Sequence, residues 1–166
     1  MQLDQVYEMY VNDLYRYVFS LSKDHYVAED LVQEAFYRAY LTLEDYEISN
    51  IKAWLFKVSY HAFIDYQRKY KRITVEDEIE KYTYVNQVTP EKTLVEKESL
   101  MMLLKDMDLL NEKEKNAVIL CDLHELSYQE AADILDVKLN SFKSYLLRGR
   151  KKLISRIKER MSKDER

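Results

Sequence analysis

Apolar residues along the chain recur at the three- and four-residue spacing of amphipathic helices. Between residues 3 and 22, Leu3, Val6, Tyr10, Leu14 and Leu21 all fall on one helical face. The spacing therefore predicts a first helix over residues 3–22. The same criterion predicts further helices at about residues 26–43, 51–72, 91–109, 112–122, 127–135 and 141–160.

Turn-forming residues are scarce, with one glycine and one proline among 166 residues. Tight hairpins need such residues, so sheet-rich folds are disfavoured. Residues 73–92 have weak periodicity, an acidic run and the single proline, Pro90, which is typical of a linker. We therefore predict an all-α protein of two small helical domains, at residues 1–72 and 94–166, joined by a flexible linker over residues 73–93.

Charge is segregated along the chain, although the formal net charge is only −4. Residues 1–50 hold three basic and ten acidic side chains, whereas residues 51–72 hold six basic and one acidic. Residues 138–160 hold nine basic side chains and a single acidic one, Glu159. A basic patch in an acidic protein is consistent with phosphate contacts, and the alternative is a solvated helix face.

The segment "LSYQEAADILDVKLNSFKSYLLRGRKKL" has the spacing of a helix-turn-helix motif. Ser127 is a candidate N-cap for the first helix, and Ala131 and Ala132 are small enough for close helix packing. Asp136 stands where the turn often has glycine, and aspartate tolerates the left-handed conformation. Phe142 is expected to pack back from the second helix.

The second helix of this motif has one packing face and one face that can enter a DNA groove. Residues near its start are candidates for base contacts, and later cations, including Lys152, are candidates for phosphate contacts. The predicted DNA contacts are Asn140, Ser141, Lys143, Ser144, Leu147, Arg148, Arg150 and Lys151. The alternative is a plain helical hairpin with a solvated basic face.

The helix "IKAWLFKVSYHAFIDYQRKYKR" has two apolar stripes. One holds Ile51, Trp54, Leu55, Val58 and Ala62 and is expected to face a bundle core. The other holds Phe56, Tyr60 and Phe63 and is flanked by basic residues. Aromatic rings beside cations can stack unpaired bases, and the alternative is a central helix packed on both sides.

Three stretches in this order resemble the extracytoplasmic-function (ECF) sigma factors, which are promoter-recognition subunits of bacterial RNA polymerase. "AEDLVQEAFYRAY" resembles the family's polymerase-binding helix, and the two basic helices resemble its −10 and −35 element helices. The resemblance implies polymerase contacts at Asp30, Gln33, Glu34 and Tyr37. It implies −10 contacts at Lys52, Phe56, Lys57, Tyr60, His61, Phe63, Asp65 and Arg68.

The chain departs from the family pattern at three positions in the two basic helices. His61 stands where the family usually has asparagine, Tyr145 where arginine is frequent, and Gly149 where alanine is frequent. The resemblance implies that core RNA polymerase, promoter DNA and an anti-sigma factor, often membrane-bound, are the partners. It also implies a role in a stress or envelope response.

The sequence contains little that suggests a metal site or a phosphate-binding loop. Cys121 and His124 supply two ligands, short of a structural zinc site, and Gly149 as the sole glycine excludes a glycine-rich phosphate loop. We therefore expect no enzyme activity, metal, cofactor or small-molecule substrate, with Cys121 in the core. Because "MQLDQVYEMY" does not look like a signal peptide, we expect a cytoplasmic protein.

Two other functions are compatible with the same pattern. One is a regulator that binds duplex DNA without polymerase and uses residues 1–72 for dimerisation or effector sensing. The other is a helical adaptor that does not bind DNA.

Overall fold

The computed structural model describes residues 2–70 and 94–164 of the chain. Within these ranges the regular elements are helices, and the chain divides into two compact units, Met1–Lys92 and Thr93–Arg166. The predicted all-α fold with two helical domains is confirmed. The predicted linker, residues 73–93, lies entirely outside the described ranges. In those ranges, no helix combines the length and the apolar character needed to cross a membrane.

The N-terminal unit is a bundle of α1 (Leu3–Ser22), α2 (His25–Asp45) and α3 (Ile51–Tyr70), each of which packs on the other two. Lys23 ends α1 in the left-handed region, at φ 57°. Asp24 caps α2 by accepting hydrogen bonds from the backbone N–H groups of Tyr26 and Val27. Asn50 caps α3 through the backbone N–H of Ala53, at 3.1 Å.

The C-terminal unit contains α4 (Leu94–Met107), α5 (Glu112–Val118), α6 (Tyr128–Ile134) and α7 (Leu139–Asp164). A π-helical turn, Ile119–Leu123, continues α5. Asn111 and Glu114 form a capping box at the start of α5, and Ser127 and Glu130 form another at the start of α6. These caps fix where both short helices begin, and Ser127 caps α6 as predicted.

The turn between α6 and α7 is a Schellman motif. The N–H of Asp136 bonds to the carbonyl of Asp133, and the N–H of Val137 bonds to the carbonyl of Ala132. Asp136 has φ 54°, in the left-handed region, as its position in the sequence predicted. The helix after this turn begins at Leu139, one or two residues earlier than predicted.

Buried apolar residues line the angle between α6 and α7. Ala131 and Ala132 are fully buried in α6, as are Phe142 and Leu146 in α7. The rings of Tyr128 and Phe142 lie 5.9 Å apart between centroids. α7 is therefore held against α6 by its inner face, and its outer face stays accessible to solvent.

Candidate functional site

The outer face of α2 carries the predicted polymerase contacts. Asp30, Gln33 and Tyr37 are exposed, and Glu34 beside them is partly buried. Glu34 accepts a hydrogen bond of 2.6 Å from Arg38, one turn further along. The opposite face holds the buried residues Ala28, Leu31, Val32, Ala35, Phe36 and Ala39. Packing of that face against the bundle presents the four polar residues to solvent together.

Tyr26 and Tyr40 extend this exposed face at both ends. With Asp30, Gln33 and Tyr37 they are spaced by four, three, four and three residues, so one stripe runs along α2. Both tyrosines are exposed. A hydrogen bond to Glu44 raises the pKa of Tyr40 above its usual 10.0. Tyr26 and Tyr40 were not among the predicted contacts, although the heptad spacing could have indicated them.

The aromatic stripe of α3 is part of the bundle core. Phe56 is 0% exposed, and Tyr60 and Phe63 are also buried. The ring of Phe56 lies 5.1 Å from that of Tyr17, between centroids. Buried rings cannot stack on bases, so the prediction that these three form a base-stacking surface is wrong. α3 packs on both α1 and α2, but three of the five residues of its other apolar stripe are only partly buried, so the alternative of a central helix packed on both sides holds only in part.

The polar residues of α3 divide into two groups. Lys57, Asp65 and Arg68 are exposed and His61 is partly buried, and their spacing places all four on one helical side. Lys52 is partly buried and falls on the side of the aromatic stripe. The structure thus brings four of the eight predicted −10 residues together. Trp54, expected in the core, is only partly buried.

The exposed side of α7 carries most of the predicted −35 residues. Asn140, Ser141, Lys143, Ser144 and Leu147 are exposed in its first turns. Ser144 donates a hydrogen bond of 3.2 Å from its hydroxyl to the carbonyl oxygen of Asn140. Leu147 is 54% exposed. Lys151 continues this side one turn later and is exposed.

The remaining basic side chains in this part of α7 bind carboxylates of the same unit. Arg148 donates from Nε to Oε2 of Glu114 at 3.4 Å, and Lys152 donates to Oε1 of Glu114 at 2.7 Å. Arg150 forms a two-pronged ion pair with Asp122, at 3.0 and 2.6 Å. This pairing raises the pKa of Arg150 above its usual value. None of these ion pairs was predicted from the sequence.

Glu114 is a buried carboxylate, with its side chain 2% exposed. The hydrogen bond from Lys152 is the main reason that its pKa lies below the usual 4.5, and burial acts in the opposite direction. The backbone N–H of Asn111 also donates to Glu114, at 3.2 Å. The carboxylate therefore joins the start of α5 to the middle of α7.

Cys121 lies in the π-helical turn and is partly buried, which corrects the expectation of a core thiol. Burial raises the pKa of the thiol to about 11, so thiolate is scarce at neutral pH. Within the described residues, no cluster of three or more His, Cys, Asp or Glu side chains could hold a metal ion.

Two family models match the chain, in the order of its two units. Sigma-70 region 2 matches residues 6–73, and Sigma-70 region 4 matches residues 100–153. The first match covers the three-helix bundle, and the second covers the helix-turn-helix motif with the helices before it.

Similar proteins extend the match over nearly the whole chain. The ECF RNA polymerase sigma factor SigM of Bacillus subtilis is 40% identical over 154 residues, covering 92% of this chain and 93% of that protein. The ECF sigma factor SigE of Mycolicibacterium smegmatis is 32% identical over 90% of this chain and 59% of that protein.

Solved structures show the same fold. The sigma factor RpoE of Bartonella quintana, solved with the anti-sigma factor NepR, matches with a TM-score of 0.73 and 26% identity, over 93% of this chain and 96% of that one. CnrH, solved with the cytosolic domain of CnrY, matches with a TM-score of 0.67 and 18% identity, over 95% and 88%. Because both sigma-70 regions and most of the SigM sequence match, the chain belongs to the ECF family of RNA polymerase sigma factors.

Proposed function

We propose that this chain is an alternative sigma factor that binds core RNA polymerase through the outer face of α2. Asp30, Gln33, Glu34 and Tyr37 supply the contacts, and Tyr26 and Tyr40 lengthen the surface. An exposed stripe with heptad spacing suits a helical partner, since neighbouring helices pack at this spacing. The observation that carries the proposal is the ordered match to sigma-70 regions 2 and 4 across both helical units.

We propose that the polar side of α3 contacts the −10 element as separated strands. Lys57 and Arg68 are exposed cations suited to phosphates, and Asp65 offers exposed carboxylate oxygens to bases. His61 lies among them, with its Nε2 buried. The buried rings of Phe56, Tyr60 and Phe63 keep this helix in place and do not stack on bases. Lys52, on their side of α3, is left outside the proposed contact.

The proposed −35 contact is made by α7, with Asn140, Ser141, Lys143, Ser144 and Leu147 at the groove. A recognition helix contacts base edges with its first turns, and these are the exposed residues of the first turns of α7. The methyl groups of Leu147 suit a thymine methyl, an apolar feature of the major groove. The chain acts by binding in this proposal, and no step requires catalysis by the sigma factor itself.

We infer that an anti-sigma factor regulates the protein. The structurally similar RpoE of Bartonella quintana was solved with the anti-sigma factor NepR, which supports a partner of this kind. The proposed location is the cytoplasm. An anti-sigma factor anchored in the membrane would hold the protein at the membrane surface. A stress or envelope response is the proposed context for its promoters.

Run-off transcription with bacterial core polymerase tests the proposal. Fragmented DNA of the source organism would be transcribed with and without the protein, and its co-elution with core polymerase would be measured in parallel. New discrete transcripts that require the protein are expected. Absence of transcripts together with absence of co-elution would favour a regulator that binds duplex DNA alone, which a gel shift without polymerase would then detect.

A further inference from the structure

The cations between residues 138 and 160 divide into two classes that the sequence does not distinguish. Among the described residues, one class is paired with four carboxylates, Asp106, Glu114, Asp122 and Glu159. This class comprises Arg148, Arg150, Lys152, Arg156 and Arg160. The other class comprises the exposed residues Lys138, Lys143, Lys151 and Lys158, for which the described part of the chain shows no ion pair. Within the described part of the chain, every arginine of α7 is thus paired with a carboxylate, and all of the unpaired cations between residues 138 and 160 are lysines.

Arg150 pairs with both oxygens of one carboxylate. Its Nη2 lies 2.6 Å from Oδ1 of Asp122 and its Nε lies 3.0 Å from Oδ2, so both carboxylate oxygens are used. Its Nη1 lies 3.4 Å from the hydroxyl of Tyr128. Asp122 belongs to the π-helical turn and Tyr128 is the first residue of α6. One guanidinium therefore joins α7 to the two elements that precede it.

Geometry also separates Arg150 from Lys151, its neighbour in the chain. Lys143, Leu147 and Lys151 follow one another at four-residue spacing, so they lie on one side of α7. Consecutive residues of a helix point about 100° apart, and Arg150 is directed instead to Asp122. Asp122 offsets the charge of Arg150 and occupies two of its five N–H donors, whereas Lys151 has no carboxylate paired with it in the described part of the chain, so Lys151 is the better placed of the two for a phosphate.

We propose that Arg150 is a positioning residue that fixes the recognition helix on Asp122, and that Lys151 makes the phosphate contact. The inference rests on the proposed −35 role of α7. It revises the initial assignment of Arg150 to the phosphate-binding set. Arg148 and Lys152 follow the same pattern on Glu114, with a longer contact for Arg148.

Salt dependence of DNA binding separates the two roles. Each phosphate contact contributes about 0.9 to the slope of log affinity against log salt concentration. The holoenzyme of this chain with core polymerase would be titrated with a promoter fragment identified by run-off transcription. Lys151→Gln is expected to lower the slope by about 0.9, and Arg150→Gln is expected to weaken binding with the slope unchanged. Equal slope losses in the two variants would overturn the inference.

Asp122→Asn gives a second test, because the two roles of Arg150 predict opposite changes in promoter affinity. If Arg150 positions the helix, the loss of Asp122 weakens promoter binding, and Arg150→Gln in the same chain adds little further loss. If Arg150 contacts phosphate in competition with Asp122, the same substitution strengthens binding and steepens the slope. Arg150→Lys should not restore the wild-type affinity, because one ammonium cannot reproduce the two-pronged contact.

Different experimental results would contradict the inference and the proposed function. If the chain is no sigma factor, the wild-type protein yields no specific transcript and no promoter fragment for titration. If only the inference fails, wild-type transcription is normal and the slopes of Arg150→Gln and Lys151→Gln coincide. Thermal unfolding of each variant shows whether it is folded at the temperature of the titration.

Discussion

Gly149 of α7 lies directly against Val118 of α5, where a Cβ on the glycine would stand 2.8 Å from Cγ2 of the valine. The same Cβ would be 3.1 Å from the carbonyl oxygen of Glu114. A distance of 2.8 Å is too short for two carbon atoms in contact. The single glycine of the chain thus permits the close packing of the recognition helix on α5.

Gly149→Ala should therefore destabilise the C-terminal unit. In an open helix interior, alanine is more stable than glycine by about 1 kcal/mol. Here the added methyl must displace a β-branched side chain in a helix and a backbone carbonyl, and such overpacking costs about 1–3 kcal/mol. We expect a net loss of about 1 kcal/mol in the free energy of unfolding, measured by urea denaturation. Ser155→Ala, at an exposed position of the same helix, is the control and should not destabilise.

Glu114 should make the stability of the C-terminal unit sensitive to acid. Its pKa is lowered in the folded state, chiefly by Lys152, so its contribution is present above the usual pKa of 4.5 and is lost as pH falls through the folded value. Glu114→Gln should lower the free energy of unfolding at pH 7 by about 1–3 kcal/mol. The difference between wild type and variant should shrink below about pH 4.5. A difference independent of pH from 3 to 7 would contradict the assignment.

Asp30→Ala combined with Gln33→Ala should abolish or strongly weaken binding to core polymerase. Both side chains are exposed on α2, so the helical circular dichroism signal should stay unchanged. Co-elution of the purified variant with core polymerase measures the effect. Asp4→Ala with Glu8→Ala, also exposed and on α1, is a matched control that should still co-elute. Normal co-elution of the α2 variant would refute the docking assignment.

Phe56 and Lys57 are adjacent in α3, but replacing each with alanine should have different effects on stability and on promoter opening. Phe56→Ala removes a fully buried ring and should lower the free energy of unfolding by about 3–5 kcal/mol. Lys57→Ala removes an exposed cation and should leave stability within about 0.5 kcal/mol, while weakening promoter opening. Chemical denaturation and permanganate footprinting of the holoenzyme measure the two effects. Unchanged footprinting of Lys57→Ala would remove this residue from the −10 contact.

The local sequence pattern was sufficient to predict the helices and the outer face of α2. Apolar periodicity gave the helices, Ser127 was predicted as a cap from its position before an amphipathic segment, and Asp136 was expected in the left-handed region. The outer face of α2 was also evident, because one apolar face determines the opposite polar face. These features depend on residues within a few positions of one another, so the sequence alone carries them.

Tertiary structure decided what periodicity could not. Periodicity shows that α3 has a second apolar stripe, but the packing of α1 and α2 decided that Phe56 is in the core. The cations of α7 look equivalent in sequence, yet Arg150 and Lys152 differ from Lys151 because Asp122 and Glu114, 28 and 38 residues earlier, lie beside them in the fold. Such contacts between distant residues arise only when the helices pack, so the tertiary structure determined which cations are left without a carboxylate partner.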